Sequence, residues 1–577
     1  MSDMENKTLK GYMMKMSLTS LKGYLGNELV DTLIEWIPEN KQIYTKANII
    51  DMILTVHGTS ILKKKEFRLD LYKRFNDDTI YSMRRYLPKI DNSEEDKKII
   101  VEYAANTPWK KNELSCFILD VLGLTNDVFD IKKDAISSSE TISSYGKFYE
   151  LLDYQYVIRQ KALYILSSDI ELPRFLIHMP TGTGKTKTAT HIICHHYNFN
   201  LKKQGLIIWI AHTTELLQQA YETFCSVWKY IGNGSINTYK LYGNNNICFN
   251  EDHINGFMVC GIQKLMALEK NNPDLLNRLI QDASLIVFDE AHKASASETR
   301  QIIEKFMIKK DGMHNRALMG LSATPGRSTE QSFDNVLLSS MFENRLIRID
   351  TALMNSINMS SQAAINATVE TDIIKYFQER HILSRIKKEE LVYDQKFTEN
   401  EIKKIGIVAK ANGYEDFSDK ALEIIGKNKS RNLRIMQKLR ELNQNKTPTI
   451  VFACSVKHGQ LLSAMLTIEG IPNALVIGNM NPDDRKKAIE KFKDRNDETN
   501  ILINYEVLTT GFDATNIKCV FIARPTQSVV LYSQMLGRGL RGPQMGGNEE
   551  CLLVDIKDNL YQFNENMAFS HFDNYWR

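Results

Sequence analysis

Long apolar runs are missing from this 577-residue sequence, and no stretch approaches the roughly 18 consecutive apolar residues that a membrane span needs. The opening residues, MSDMENKTLKGYMMKM, carry no apolar segment behind a basic start, so no secretory signal is indicated. The expected compartment is the cytoplasm, with no membrane partner. Net charge is also nearly absent: 73 Lys+Arg against 70 Asp+Glu leaves +3. That excludes a polybasic binder and requires any nucleic-acid site to concentrate its cations in one groove. Cysteine is sparse and scattered, at Cys116, Cys194, Cys225, Cys248, Cys260, Cys454, Cys519 and Cys551, with no C-x-x-C pair. Neither a disulfide framework nor a zinc knuckle follows from that spacing. No repeat at solenoid periods is evident.

What is present is ordinary globular composition, 43% hydrophobic and 25% charged, in a chain long enough for three or four domains at roughly 150 residues each. Residues 1–145 read as a helical N-terminal domain, with apolar residues at helical spacing in Leu29-Val30-Leu33-Trp36 and Ile49-Ile50-Ile53-Leu54. The Ser-rich stretch 136–145 has linker composition. Short runs apolar on both faces then alternate with helical patterns: RFLIHMP, GLIIWIAH, GFMVCGIQ, SLIVFDEAH and RALMGLSAT. A second series comprises PTIVFACS, NALVIGN, TNILINYE, IKCVFIARP and CLLVDIKD. Such runs predict buried parallel strands, and so two α/β domains, over 146–330 and 447–577. Residues 331–446 read as a helical connector or elaboration, on the patterns TDIIKYFQERHILSRI and NLRIMQKLRELNQ.

The sharpest local signal is Met179-Pro-Thr-Gly-Thr-Gly-Lys-Thr186, between a strand and a helical pattern. Backbone N–H groups of such a loop point at phosphates, where the helix dipole also favours negative charge. Thr181, Gly182, Thr183 and Gly184 form the cradle, Lys185 would reach the β and γ phosphates of ATP, and Thr186 would bind Mg²⁺. Met179 stands where the P-loop pattern begins with glycine. The strand SLIVF then delivers Asp289 and Glu290, the first suited to hold Mg²⁺ and the second to orient and deprotonate water.

With D-E-A-H at 289–292 the sequence resembles the superfamily 2 helicases over about Leu151 to Asp558. The resemblance implies two tandem RecA-like P-loop domains with parallel sheets in an α/β chain, plus the helical N-terminal domain. Gln155 resembles the family's adenine-reading glutamine. Ala211-His-Thr-Thr-Glu-Leu-Leu217 and Gly261-Ile-Gln-Lys-Leu265 resemble the motifs that touch the nucleic-acid backbone. Ser322-Ala-Thr-Pro325, with His292, Ser322 and Thr324, resembles the motif coupling hydrolysis to domain movement. Ile450–Ser455 and Leu508–Asp513 resemble later motifs, which puts Gly511 and Asp513 at the nucleotide. Gln534-Met-Leu-Gly-Arg-Gly-Leu-Arg541 matches Q-x-x-G-R-x-x-R, implying Gln534, Arg538 and Arg541 as catalytic groups, the arginines sharing one helical face. Thr213, Gln263, Ser455 and Thr510 are candidate strand contacts; each is equally a candidate for a local cap or turn hydrogen bond.

Among its relatives the sequence reads most like the motor subunits of type I and type III restriction systems and related bacterial DNA translocases, on MPTGTGKT, GLSATPGR, MNPDDRKKAIEKFK and TTGFDATNIKCVFIARPT. That implies ATP-driven movement on DNA, 3′ to 5′, with antiviral defence as a setting and a nuclease or effector as a protein partner. An ATP-gated nucleic-acid sensor that signals to a partner, and an RNA helicase, are the alternatives. Basic residues with aromatics between them, at Ile61–Phe75 and at Lys110-Lys111 after Trp109, suit DNA or a partner, or simply a solvated helix face. His191, Cys194, His195 and His196 lack partners spaced to complete a metal site. Asp394, Glu401 and Lys403 imitate a nuclease by coincidence.

Overall fold

A computed structural model of the chain describes residues 8–36, 44–87, 97–125, 139–146, 149–243, 253–294, 296–308, 316–326, 333–349, 373–393, 398–405, 408–411, 414–478, 480–509, 514–526 and 528–556, with 245, 247, 249 and 512. The predicted apolar runs form strands because parallel strands covered by helices on both sides bury every side chain. The first sheet has eight strands: β1 (Ser139–Ser143), β2 (Arg174–His178), β3 (Leu206–Ala211), β4 (Ser235–Leu241), β5 (Gly256–Gly261), β6 (Ala283–Asp289), β7 (Ala317–Ser322) and β8 (Leu346–Ile347). Their order is β1-β4-β5-β3-β6-β7-β2-β8, parallel except where β1 meets β4. Alternation along β3 shows why both faces must be covered. Ile207 and Trp209 join the core beneath helices Asp153–Ser167, Lys185–His195 and Thr214–Ile231, while Ile208 and Ile210 meet helices Ile262–Asn271 and Ser297–Phe306.

The second sheet runs β13-β14-β12-β15-β16-β9 and is parallel throughout. Its strands are β9 (Arg385–Leu391), β12 (Thr449–Phe452), β13 (Asn473–Val476), β14 (Ile501–Asn504), β15 (Cys519–Ile522) and β16 (Glu550–Ile556), and a separate hairpin pairs β10 (Val408–Ala411) with β11 (Tyr414–Phe417). One face, with Val451, Ile503 and Phe521, shares a single apolar cluster with helices Lys429–Gln444 and Val456–Ile468 and with the N-terminal helices. The opposite face, with Phe452, Leu502 and Ile522, is continuous with the core of the first sheet.

The N-terminal helices, Leu9–Met14 through Glu113–Val121, begin at side-chain caps where the sequence supplies them: Ser17, Thr45, Asn76 and Asn112 each accept a backbone N–H of the first turn. Helix Lys46–His57 buries Ile49, Ile50, Ile53 and Val56 in the cluster shared with the second sheet, a burial worth on the order of 6–12 kcal/mol as an upper bound. The joint is also polar. Thr59 donates from both N and Oγ1 to Asp484 Oδ2, at 2.8 and 2.9 Å.

Two sequence expectations change. The stretch with linker composition contains β1, whose polar SETIS sequence suits an edge strand facing solvent. Residues 331–446, expected to be helical, also supply β8 to the first sheet, β9 to the second, and the β10–β11 hairpin. The helical pattern from Thr371 to Ile386 stops at Glu379. His381 takes a left-handed φ of 55°, and the chain then enters β9, whose charged RIKKEEL sequence again marks an edge.

Candidate functional site

The phosphate loop leaves the buried end of β2, where Met179 is fully buried and its N–H donates to Ser322 O at 3.1 Å. Gly182 and Gly184 take left-handed φ values of 88° and 83°, the conformation that requires glycine. Gly184 caps helix Lys185–His195, so Lys185 and Thr186 open its first turn. Thr183 braces the loop by donating to Pro180 O at 2.8 Å. Gln155 meets this loop from helix Asp153–Ser167: its Nε2 donates to Thr183 O at 2.9 Å and its Oε1 accepts from Leu152 N at 3.0 Å. Both donors of the amide are thus engaged, the second reaching Tyr154 Oη at 3.3 Å, while Oε1 keeps one lone pair for a further donor.

Asp289 and Glu290 follow at the end of β6. Glu290 adopts φ 52° and ψ 53°, a left-handed conformation that costs a non-glycine residue on the order of 1–3 kcal/mol and aims its carboxylate at Lys185 Nζ, 4.0 Å away. Burial pushes the Asp289 carboxyl up to about 6, with the neighbouring Glu290 charge adding to it against the pull of Lys185. Burial also raises Glu290, but Lys185, His292, Lys293 and Arg538 together outweigh it and hold Glu290 ionised below the usual carboxylate range. The two carboxylates are therefore split, one poised to bind a cation or a proton and the other kept charged.

His292, Ser322 and Thr324 connect Glu290 to the end of β7. Ser322 Oγ donates to Thr324 O at 2.6 Å, and His292 Nδ1 lies 3.2 Å from Ser322 Oγ and 3.3 Å from Glu290 Oε2. Because the only hydroxyl proton of Ser322 is used, Nδ1 must carry the imidazole proton.

The second unit presses directly on the phosphate loop. A Cβ on Gly537 would lie 2.6 Å from Thr181 Cβ, and one on Gly182 would lie 3.6 Å from Arg541 Cγ. Helix Val529–Leu536 ends before Arg538 and Arg541 pairs with Leu383 in a β-bridge, so the two arginines do not share the helical face expected of them. Arg538 donates from Nη1 to Phe512 O at 2.6 Å and from Nε to Gln534 O at 3.3 Å, while its charge is felt at Glu290. Sequence reading missed two parts of this junction. Leu383 bridges to Arg541 and contacts Gly182, and Met545 lies beside Gly184. Neither carries a motif signal, since each is brought there by a turn distant in sequence.

The candidate strand contacts separate into groups. Thr213 and Gln263, after β3 and β5, line one hollow of about 440 Å³ with His212 and Lys264. Thr213 Oγ1 and Ser455 Oγ each cap a helix, accepting from Leu216 N and His458 N, as the cap alternative predicts. A capping hydroxyl accepts through its oxygen and keeps its proton available for a phosphate. Thr510, Gly511 and Asp513 lie outside the described residues, as do Cys248 and Asp394. Between the two units, Arg485 Nη1 pairs with Glu215 Oε1 at 3.0 Å, next to Thr213. In the N-terminal basic segment Arg68 is buried, donating to Leu62 O, Lys63 O and Ala105 O, so it organises the helices, whereas Lys63, Lys64 and Lys65 are solvated.

Residues 148–327 match the family described as type III restriction enzyme, res subunit, and residues 431–542 match the helicase conserved C-terminal domain. The chain is a superfamily 2 helicase, related to restriction motor subunits. Similar to this superfamily 2 chain is the Saccharomyces cerevisiae protein named "Putative ATP-dependent helicase IRC3", 27% identical over 389 residues that cover 66% of this chain and 48% of that one. The type I restriction enzyme EcoAI endonuclease subunit of Escherichia coli is 23% identical over 425 residues, covering 67% and 43%. The chain spans about half the length of the curated relatives it matches. Among solved structures, S. cerevisiae Dbp5 bound to RNA and ADP BeF3 aligns with a TM-score of 0.45 at 16% identity, over 75% of this chain and 92% of that one. The matched families consist of ATP-hydrolysing enzymes, typically working with Mg²⁺. The residues of this superfamily 2 chain fit that pair: a glycine cradle opens on a helix N-terminus, a raised carboxyl stands at Asp289, and the buried Gln534 Nε2 and Thr324 Oγ1 find no hydrogen-bond partner among the described residues. Among the described residues no helix is long and apolar enough to cross a membrane.

Proposed function

We propose that this chain is a nucleic-acid-stimulated ATPase that translocates on DNA, with units over 146–330 and 447–577 as the motor. The observation that carries it is the abutment of Arg541 and Gly537 on the phosphate loop, which makes the position of the second unit depend on what the loop holds. Gly182, Gly184 and Lys185 would cradle the phosphates, and Thr186 and Asp289 would hold Mg²⁺, which would neutralise charge on the phosphates. Glu290, kept ionised, orients and deprotonates the attacking water. Arg538 and Arg541 face the developing charge, a contribution on the order of 10³–10⁵ in rate. His292, Ser322 and Thr324 relay the state of Glu290 to the end of β7 through the close approach of His292 Nδ1 to Glu290 and the hydrogen bonds of Ser322. Thr213, Gln263 and Ser455 hold phosphates of the strand, and such contacts carry no sequence information.

The kinship with restriction motor subunits favours DNA as the track and defence against foreign DNA as the setting. The deciding measurement is phosphate release at fixed salt with single-stranded DNA, duplex DNA and RNA. DNA should stimulate most, and stimulation by RNA alone would replace DNA with RNA. Release indifferent to all three would overturn the proposal. Plating of phage on cells carrying the wild type or Lys185→Ala tests the setting.

A further inference from the structure

Residues before 148 fall outside both matched families, yet they touch the second unit beside one of the candidate strand contacts. Helix Asn27–Trp36 lies against the start of helix Val456–Ile468 and the end of helix Asp419–Gly426. Between them is a half-open hollow of about 170 Å³, lined among others by Glu28, Thr32, Lys427, Ser455 and Lys457. Glu28 reaches across it: Oε1 is 2.6 Å from Lys427 Nζ and Oε2 is 3.3 Å from Lys457 Nζ. These lysines hold the Glu28 carboxyl below its usual range, Lys427 foremost. All three side chains remain more than half exposed, at 59%, 57% and 56%, so water and salt reach the pairs and each is weak.

One carboxylate therefore spans two cations at the start of a helix capped by Ser455, the kind of place where an oxyanion is favoured. The anion comes from the N-terminal unit, while the cations and the cap belong to the second unit. A strand of nucleic acid passing Ser455 would bring phosphates to those lysines, and Glu28 would then compete with them for the same donors.

We propose that the N-terminal helical unit restrains nucleic-acid engagement through Glu28, which occupies between Lys427 and Lys457 the place a strand phosphate takes as nucleic acid runs past Ser455. This rests on the nucleic-acid function proposed above. It makes Glu28 an autoinhibitory contact that is easily displaced, because two exposed ion pairs are exchanged for two ion pairs to phosphate.

The test is equilibrium binding of a fluorescent oligothymidylate to the full chain across a salt series, with phosphate release measured in parallel. Glu28→Gln should tighten binding about three- to tenfold, the sum of two exposed pairs, and leave release without DNA unchanged. Glu35→Gln, an exposed position on the same helix, should have no effect. The pair Lys427→Gln and Lys457→Gln should lower the slope of log K against log salt by about 1.4, at about 0.7 per phosphate contact on a single strand, and should abolish the gain from Glu28→Gln. Wild-type affinity in Glu28→Gln, or a gain that survives loss of both lysines, overturns the inference while leaving the motor reading intact. Absence of oligonucleotide binding by every variant, wild type included, overturns both.

Discussion

Replacing Asp289 by Asn should stabilise the protein while ending its turnover. Asp289 is buried to 3% exposure, and its carboxyl is raised from 3.8 to about 6, with burial the main cause. A carboxyl whose folded value exceeds its unfolded one binds its proton more tightly in the native state. Its contribution to stability is full below about pH 4 and is lost as pH rises through about 6. Above that, the buried, ionised Asp289 costs on the order of 2–4 kcal/mol, the penalty of a desolvated charge partly offset by Lys185. Asparagine avoids this cost and keeps an oxygen to accept from Glu290 N, a bond of 3.0 Å in the native protein. In chelator at pH 8 the transition of the first unit should rise by roughly 4–16 °C, at about 2–4 °C per kcal/mol for a unit of this size. At pH 5 the gain should shrink to roughly half in free energy, because the wild-type carboxyl is then largely protonated in the native state. Differential scanning calorimetry at the two pH values provides the comparison. Addition of Mg²⁺ with a non-hydrolysable nucleotide should stabilise the wild type more than the variant. An equal or lower transition for Asp289→Asn at pH 8 would show that the buried charge carries no such cost.

Glu290→Gln should retain nucleotide binding by equilibrium fluorescence but lose about 10²–10⁴ in turnover, since the water loses its base while the cradle is untouched. In Gly184→Ala the new Cβ would lie 2.4 Å from Gln155 Nε2 at a φ of +83°, so nucleotide affinity should fall at least tenfold, measured by titration of a labelled nucleotide. Asp416→Asn leaves Arg524 buried with Glu506 as its one charged partner among the described residues, at 3.1 Å, after loss of its 3.0 Å pair. Urea denaturation should register a loss of about 3–5 kcal/mol in the second unit, and a change within 0.5 kcal/mol would contradict the assignment.

The parts legible in the sequence are those whose chemistry is local. LIIWIA and SLIVF must be strands because nothing but two helical layers covers such runs, and PTGTGKT between strand and helix can hardly be other than a phosphate loop. Strands with mixed polarity escaped notice: SETIS, SINTYKL and RIKKEEL become β1, β4 and β9 only because a neighbouring edge offers hydrogen bonds. The helix caps at Thr213 and Ser455 were legible as alternatives but not decidable, because a hydroxyl before a helix looks the same whether or not it also meets phosphate. Glu28 was invisible. Its partner Lys427 lies 399 residues away, and no spacing rule reaches that far.

The apolar cluster shared between the N-terminal helices and the second sheet has a consequence for synthesis. Ile49, Ile53 and Val56 leave the ribosome hundreds of residues before Val451, Ile503 and Phe521, their companions in that cluster. The first helices must therefore wait, with one face uncovered, until the last strands are made. Closing a chain segment of that length adds little equilibrium cost but delays the contacts that reward it. The nascent N-terminal half is thus a natural client for chaperones. Truncation after the first sheet should yield a protein whose N-terminal helices aggregate, while joining residues 8–125 directly to the second unit by circular permutation should relieve that wait.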